Sequence, residues 1–207
     1  MGTLEKLNNN QRRIGLTGGI ASGKTTISNY IREYKRIPIV DSDNLSKELI
    51  QPNTDGYKQI IDHFGTKIID NLSSEKIINR KLLRKIIFRD EKQREWIQNF
   101  LHPLIKSKII EKCYQYKNSK VVLLEIPLLF EAKFTDICTE IWLVKCPREI
   151  QVKRLIKRDN IREDEASKLI NIQLGFDAKS KLSDIILDNS DEQSRWINQI
   201  NELIKNF

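Results

Sequence analysis

The chain has no C-x-x-C pair: Cys113, Cys138 and Cys146 are its three cysteines, and they stand far apart among apolar neighbours. That spacing excludes a cysteine-based zinc site and leaves reduced core thiols as the reading. No apolar run reaches the roughly 18 residues that a membrane-spanning helix needs, so no membrane partner is expected. Residues 1–13 are polar and include Asn8-Asn9-Asn10. They lack the apolar stretch and cleavage site of a signal peptide, so a frayed tail over 1–11 and a cytoplasmic location are expected. Internal repeats and low-complexity linkers are also missing.

What is present describes a globular chain of 207 residues, 39% hydrophobic and 31% charged. That length suits one α/β domain with insertions and is too short for two large independent domains. The net charge of +8 fits either a nucleic-acid binder or an enzyme whose substrates carry phosphates. Basic and acidic residues are interleaved along residues 80–95, and no stripe of aromatic and basic residues of the single-strand-binding kind occurs. A solvated helical face is the reading of those charges, and no nucleic-acid partner is expected.

Short Val- and Ile-rich segments at 14–16, 37–40, 121–126 and 141–144, with a weaker one at 185–187, alternate with helical patterns. They predict an α/β fold on a five-stranded parallel sheet with helices on both faces. Residues 43–120 contain no convincing strand. There Ile60, Ile61 and Phe64, then Leu82, Leu83, Ile86 and Ile87, then Trp96, Ile97, Phe100 and Leu101 recur at helical spacing. An all-helical insertion between the second and third strands is predicted, punctuated by Gly56, Gly65 and residues 71–74. A second, charged helical stretch at 148–181 carries Arg148, Arg154, Arg158 and Arg162. Two readings of it stand: an arginine lid that swings over a triphosphate, or an ordinary exposed helical pair.

Residues 18–25 read Gly-Gly-Ile-Ala-Ser-Gly-Lys-Thr, a full match to G-x-x-x-x-G-K-[ST], directly after the first strand and before a helical pattern in Ile27, Tyr30, Ile31 and Tyr34. Such a loop wraps a polyphosphate closely enough for backbone N–H groups to reach its oxygens, which small, φ-permissive residues such as Gly18, Gly19 and Gly23 allow. Lys24 adds a point charge, Thr25 a hydroxyl for Mg²⁺, and the following helix its positive end.

Other residues carry weaker signals. Asp41-Ser42-Asp43 ends the second strand, at the sheet edge where ligands bind in open α/β folds. One carboxylate there can accept a proton or hold Mg²⁺ through water, and one can cap the next helix. Glu125 ends the third strand inside an apolar run, where a metal-site role and a buried, paired carboxylate both fit. His63 and His102 each lie beside an apolar stripe with no Ser or Cys partner, the usual setting of a structural histidine.

Taken together, these segments resemble the dephospho-CoA kinases. The likeness extends from Ile14 to about Ser190. It takes in the phosphate loop, Val40-Asp41-Ser42-Asp43, His63-Phe64-Gly65, Leu101-His102-Pro103-Leu104-Ile105 and Ile126-Pro127-Leu128-Leu129-Phe130-Glu131. Arg154-Leu155, Arg158-Asp159, Gln173 and Asp188-Asn189-Ser190 complete it. The resemblance implies a P-loop kinase core (12–42, 119–147 and 182–207), a helical region for the CoA substrate (43–118) and a lid (148–181). It also implies transfer of phosphate from ATP, with Mg²⁺, to the ribose 3′-hydroxyl of dephospho-CoA, by a monomer or weak homo-oligomer.

By the same resemblance Gly19, Ile20, Ala21, Ser22, Gly23, Lys24, Thr25 and Thr26 cradle the ATP phosphates, and Thr25 holds the metal. Asn189 lies near the adenine, Asp43 is the base, Asp41 supports it, and Lys24 and Arg154 meet the transferred group. Arg84, Phe88, His102 and Leu128 are the implied contacts to the acceptor. Two positions depart from the family pattern: Ala21 replaces a glycine, and so does Asp191.

Overall fold

The computed structural model describes residues 7, 10–70, 74–190 and 193–205. Most of the expected tail and the Asp191 position lie outside the described residues. The chain divides into two compact units, Ser42–Ile109 and the described parts of Thr3–Asp41 with Ile110–Phe207.

The second unit holds a five-stranded sheet. Its strands are β1 (Arg12–Gly18), β2 (Ile39–Asp41), β3 (Val121–Glu125), β4 (Glu140–Lys145) and β5 (Ile185–Asp188). They lie in the order β2-β3-β1-β4-β5, and every pairing is parallel. Parallel strands need crossovers, and the crossover helices cover both faces, which is why all five residues of β3, Val-Val-Leu-Leu-Glu, are buried. The second strand starts at Ile39 rather than at 37. Pro38 has no N–H to give to a ladder, although its carbonyl still accepts from the Leu123 N–H at 2.9 Å.

Helices α1 (Lys24–Lys35) and α9 (Gln193–Leu203) pack on one face of the sheet. Ile27 and Ile31 of α1 and Trp196 and Ile200 of α9 join Ile14, Leu16 and Trp142 in one core cluster. Between β4 and β5 run α6 (Arg148–Asp159), α7 (Glu163–Asn171) and α8 (Phe176–Ser180). The cysteines are free thiols in or near this core. Burial pushes Cys113 up to about 11 and Cys138 up to about 12, so both stay protonated and unreactive at neutral pH.

The other unit is helical: α2 (Ser42–Leu49), α3 (Asp55–Phe64), α4 (Arg80–Arg89) and most of α5 (Glu91–Gln115). Thr54 caps α3 by accepting from the Tyr57 N–H at 3.0 Å, and Asn79 caps α4 by accepting from the Leu82 N–H at 2.9 Å. Ile50, Ile60, Phe64, Ile68, Ile78, Leu83 and Ile97 form its own buried core. Its only β feature among the described residues is an isolated bridge between Ile69 and Ile78. The last residues of α5, from Ile110, belong to the sheet unit, so that unit begins before the boundary at 119 expected from the sequence. His63 stacks on Trp96 at 3.6 Å and 8°, and its Nε2 lies 2.7 Å from Gln93 Oε1, the setting of a structural residue.

Candidate active site

The phosphate loop begins where β1 runs out at Gly18 and ends as α1 starts at Lys24. Gly23 has φ 97°, and a Cβ there would lie 2.1 Å from Asn189 Nδ2. The loop therefore needs glycine at that position on two grounds, backbone conformation and space. A Cβ at Gly19 would lie 2.8 Å from Gln151 Nε2. The Ser22 N–H closes a turn onto the Gly19 carbonyl at 3.1 Å, with Ala21 at φ 58° inside that turn. A left-handed residue that keeps its Cβ costs about 1–2 kcal/mol, so the loop carries strain at the position where the family pattern has glycine.

Charge gathers inside the loop. Lys24 is buried and arches back, its Nζ donating to the carbonyls of Gly18 at 2.8 Å and Gly19 at 3.0 Å. The first turn of α1 contains no acidic residue of its own and no side-chain cap, so the positive end of the helix faces the loop. The outer wall is bonded by distant side chains. Arg154 of α6 approaches the Ala21 and Ser22 carbonyls at 3.4 Å each, and Asn189 Nδ2 donates to the Ser22 carbonyl at 2.8 Å.

Asn189 is held in place by its neighbours, since Asp188 Oδ1 accepts from the Ser190 N–H at 3.0 Å. The bonds from Ser190 and the nearby Lys145 keep the Asp188 carboxyl below its ordinary range. Of the other arginines in residues 148–181, Arg158 pairs with Asp159 and Arg162 with Asp164. Thr26 borders an open groove of about 350 Å³ with Tyr30, Glu33 and Trp196.

Two carboxylates stand at the carboxyl edge of the sheet. Asp41 and Glu125 are register partners at the ends of β2 and β3. Thr25 Oγ1 donates to Glu125 Oε1 at 3.2 Å. Burial raises the Glu125 pKa; the Asp41 charge adds to this, while hydrogen bonds from Ser28 and Thr25 and the Lys24 charge oppose it. The structure shows Glu125 buried and hydrogen-bonded to the very hydroxyl expected to meet a metal, a setting that leaves a metal-site role open.

This makes a signed prediction. A raised folded-state pKa means that Glu125's contribution to stability is full below the unfolded glutamate value and is lost as pH rises through the folded one. Glu125→Gln is expected to melt higher than the parent at pH 7, by roughly 2–4 °C per ~1 kcal/mol relieved, with the gain vanishing at acid pH. It should also lose about 10- to 100-fold in turnover, because the partner of Thr25 has changed. Melting curves across pH, beside steady-state rates, check both.

In the helical unit, Asp43 is exposed in the first turn of α2. Arg80 of α4 senses it: burial lowers the Arg80 pKa, the Asp43 charge opposes that, and Arg84 adds to the lowering. Arg80 is thus a basic neighbour of Asp43 that the sequence did not single out. Arg84 and Phe88, four residues apart, share a face of α4, with Arg84 exposed and Phe88 half-buried. His102 is half-buried in α5 just before Pro103, and burial lowers its pKa, favouring the neutral imidazole. Leu128 sits half-buried in the turn after β3.

A parallel sheet in the order β2-β3-β1-β4-β5, with the phosphate loop joining its central strand to α1 and an arginine-bearing helix against that loop, defines a P-loop kinase. TT1252 from Thermus thermophilus shares this fold, with a TM-score of 0.78 at 22% identity over 95% of this chain and 98% of that one. The chain belongs to the dephospho-CoA kinase family, whose model matches residues 12–194. It is 68% identical to a dephospho-CoA kinase of Prochlorococcus marinus (strain MIT 9312), over 99% of this chain and all of the relative. It is similar in structure to the dephospho-CoA kinase from Campylobacter jejuni, with a TM-score of 0.66 and 26% identity over 93% of this chain and 97% of that one.

Proposed function

We propose that this chain transfers the γ-phosphoryl group of ATP to the ribose 3′-hydroxyl of dephospho-CoA, giving CoA and ADP, with Asp43 as the base. Family membership supports the reaction. The observation that carries it onto this chain is the phosphate loop itself, with Lys24 folded inside it and Arg154 against its outer carbonyls.

The residues divide the work as follows. Loop amides and Lys24 hold the phosphates and neutralise charge as it moves toward the leaving oxygen. Asp43 orients the 3′-hydroxyl and takes its proton as the new O–P bond forms and the bond to the leaving ADP oxygen breaks. Arg154 shifts from loop carbonyls to the transferred group when the lid closes. Arg84, Phe88 and His102 of the helical unit, together with Leu128 after β3, are the acceptor contacts, with Arg80 as an added cation beside Asp43. Asn189 holds the loop at the adenine end of the site.

Mg²⁺ suits the donors present. The Thr25 hydroxyl, with Asp41 and Glu125 behind it, is an all-oxygen set of the kind that binds this ion together with substrate phosphates. When bound there, Mg²⁺ supplies charge neutralisation on the phosphates. A cytoplasmic enzyme is the accompanying reading.

The test is incubation with Mg-ATP and dephospho-CoA, reading ADP release and the mass of the acceptor, with adenosine monophosphate, cytidine monophosphate and no acceptor as controls. ADP formed only with dephospho-CoA, with a 3′-phosphorylated product, is the expected result. ADP formed only with another acceptor would move the substrate assignment to a different small-molecule kinase.

A further inference from the structure

The turn most exposed to strain in the phosphate loop is gripped from outside by a residue that the reaction does not otherwise use. The Ile20 N–H donates to Gln173 Oε1 at 2.7 Å, across 153 residues of sequence. Ile20 is the residue just before Ala21, inside the turn that the Ser22 N–H closes onto Gly19. With glycine at position 21 such a turn would form without strain; with Ala21 at φ 58° it needs help to keep its shape.

Gln173 is itself fixed. The next residue, Leu174, donates its N–H to Glu131 Oε1 at 3.0 Å, and Lys179 Nζ lies 2.9 Å from the same oxygen. Lys179 is only 1% exposed. A buried ammonium is tolerated only beside a counter-charge, so Glu131 and Lys179 hold each other and hold the segment between α7 and α8. That segment then presents the Gln173 carboxamide to the loop. The Glu131 end of the Pro-Leu-Leu-Phe-Glu motif thereby serves the loop through Gln173.

We infer that Gln173 is a positioning residue for phosphoryl transfer: its carboxamide oxygen holds the Ile20 amide, and so keeps the Ala21 turn in the shape that aims the following amides at the phosphates of ATP. The inference rests on ATP binding by this loop, as proposed above. It also makes the base of this arginine-bearing segment and the loop a single mechanical unit, because Gln173 lies two residues past the end of α7.

Gln173→Met keeps the length and bulk of the side chain and removes the acceptor. In the substrate-free protein, amide hydrogen exchange of a peptide covering Ile20 is expected to accelerate about tenfold, with β1 unchanged. Steady-state rates should show kcat/KM for ATP falling about tenfold, while KM for dephospho-CoA stays within about twofold. In an Ala21→Gly background the same replacement should cost clearly less, because the turn no longer needs holding. Unchanged loop exchange in Gln173→Met would overturn the proposal, and so would an equal loss in both backgrounds. The exchange measurement needs no substrate, so its failure is distinct from a failure of the kinase reading, which the ADP assay on the parent protein decides.

Discussion

Replacing Asp43 by Asn is expected to lower turnover by about 10²- to 10⁴-fold while leaving ATP binding within a few-fold of the parent. The size follows from the proposed task. Asn keeps the shape of the side chain and loses the ability to take the 3′-hydroxyl proton, so the loss falls on the chemical step. Folding should be nearly untouched. Asp43 is exposed, and its main local contribution is a negative charge in the first turn of α2 beside Arg80, a matter of about 0.3–1 kcal/mol. Equilibrium ATP titration beside single-turnover rates makes the separation. Near-normal turnover in Asp43→Asn would remove it from the base role, and a larger loss in Asp41→Asn would exchange the tasks of the two carboxylates.

Lys24→Ala should damage both affinity and rate, with kcat lower by about 10²- to 10³-fold and a raised KM for ATP. In its proposed role the ammonium neutralises phosphate in the ground state and in the transition state alike, so both parameters carry the loss. The buried Nζ also ties down the Gly18 and Gly19 carbonyls, so removing it loosens the loop even without nucleotide. Lys24→Arg should not restore activity. A planar guanidinium cannot take the compact position between two carbonyls about 3 Å away that a point-like ammonium occupies. A Lys24→Ala protein whose ATP KM and kcat both match the parent would remove Lys24 from the site.

Much of this site was legible because its chemistry is written in contiguous residues. Gly18 to Thr25 carry spacing, glycines, lysine and hydroxyl in a single stretch, and the strand and helix flanking them are equally local. The short Val- and Ile-rich runs gave five strands for the same reason: each is long enough to show its own periodicity. Their exact ends were less readable. Whether a residue such as Ile37 joins a ladder depends on the N–H that Pro38 lacks and on which neighbour lies alongside.

What depended on distant contacts was out of reach. Nothing in the local pattern around Gln173 says that it meets Ile20, or around Glu131 that it pairs with Lys179. Buried lysine is rare, and only the fold shows that residue 179 is one. Arg84 came from the family resemblance, whereas the influence of Asp43 on Arg80 is a matter of proximity in space that the chain alone does not display.

The sequence by itself determined the α/β class, the phosphate loop and the family, since motif spacing, periodicity and residue order are properties of the chain alone. The tertiary structure alone decided which side chains grip that loop: Arg154, Asn189 and Gln173 come from segments more than 130 residues away. The physical reason is that a hydrogen bond or an ion pair is set by distances of about 3 Å in space, and parallel strand order brings together residues that the chain keeps far apart.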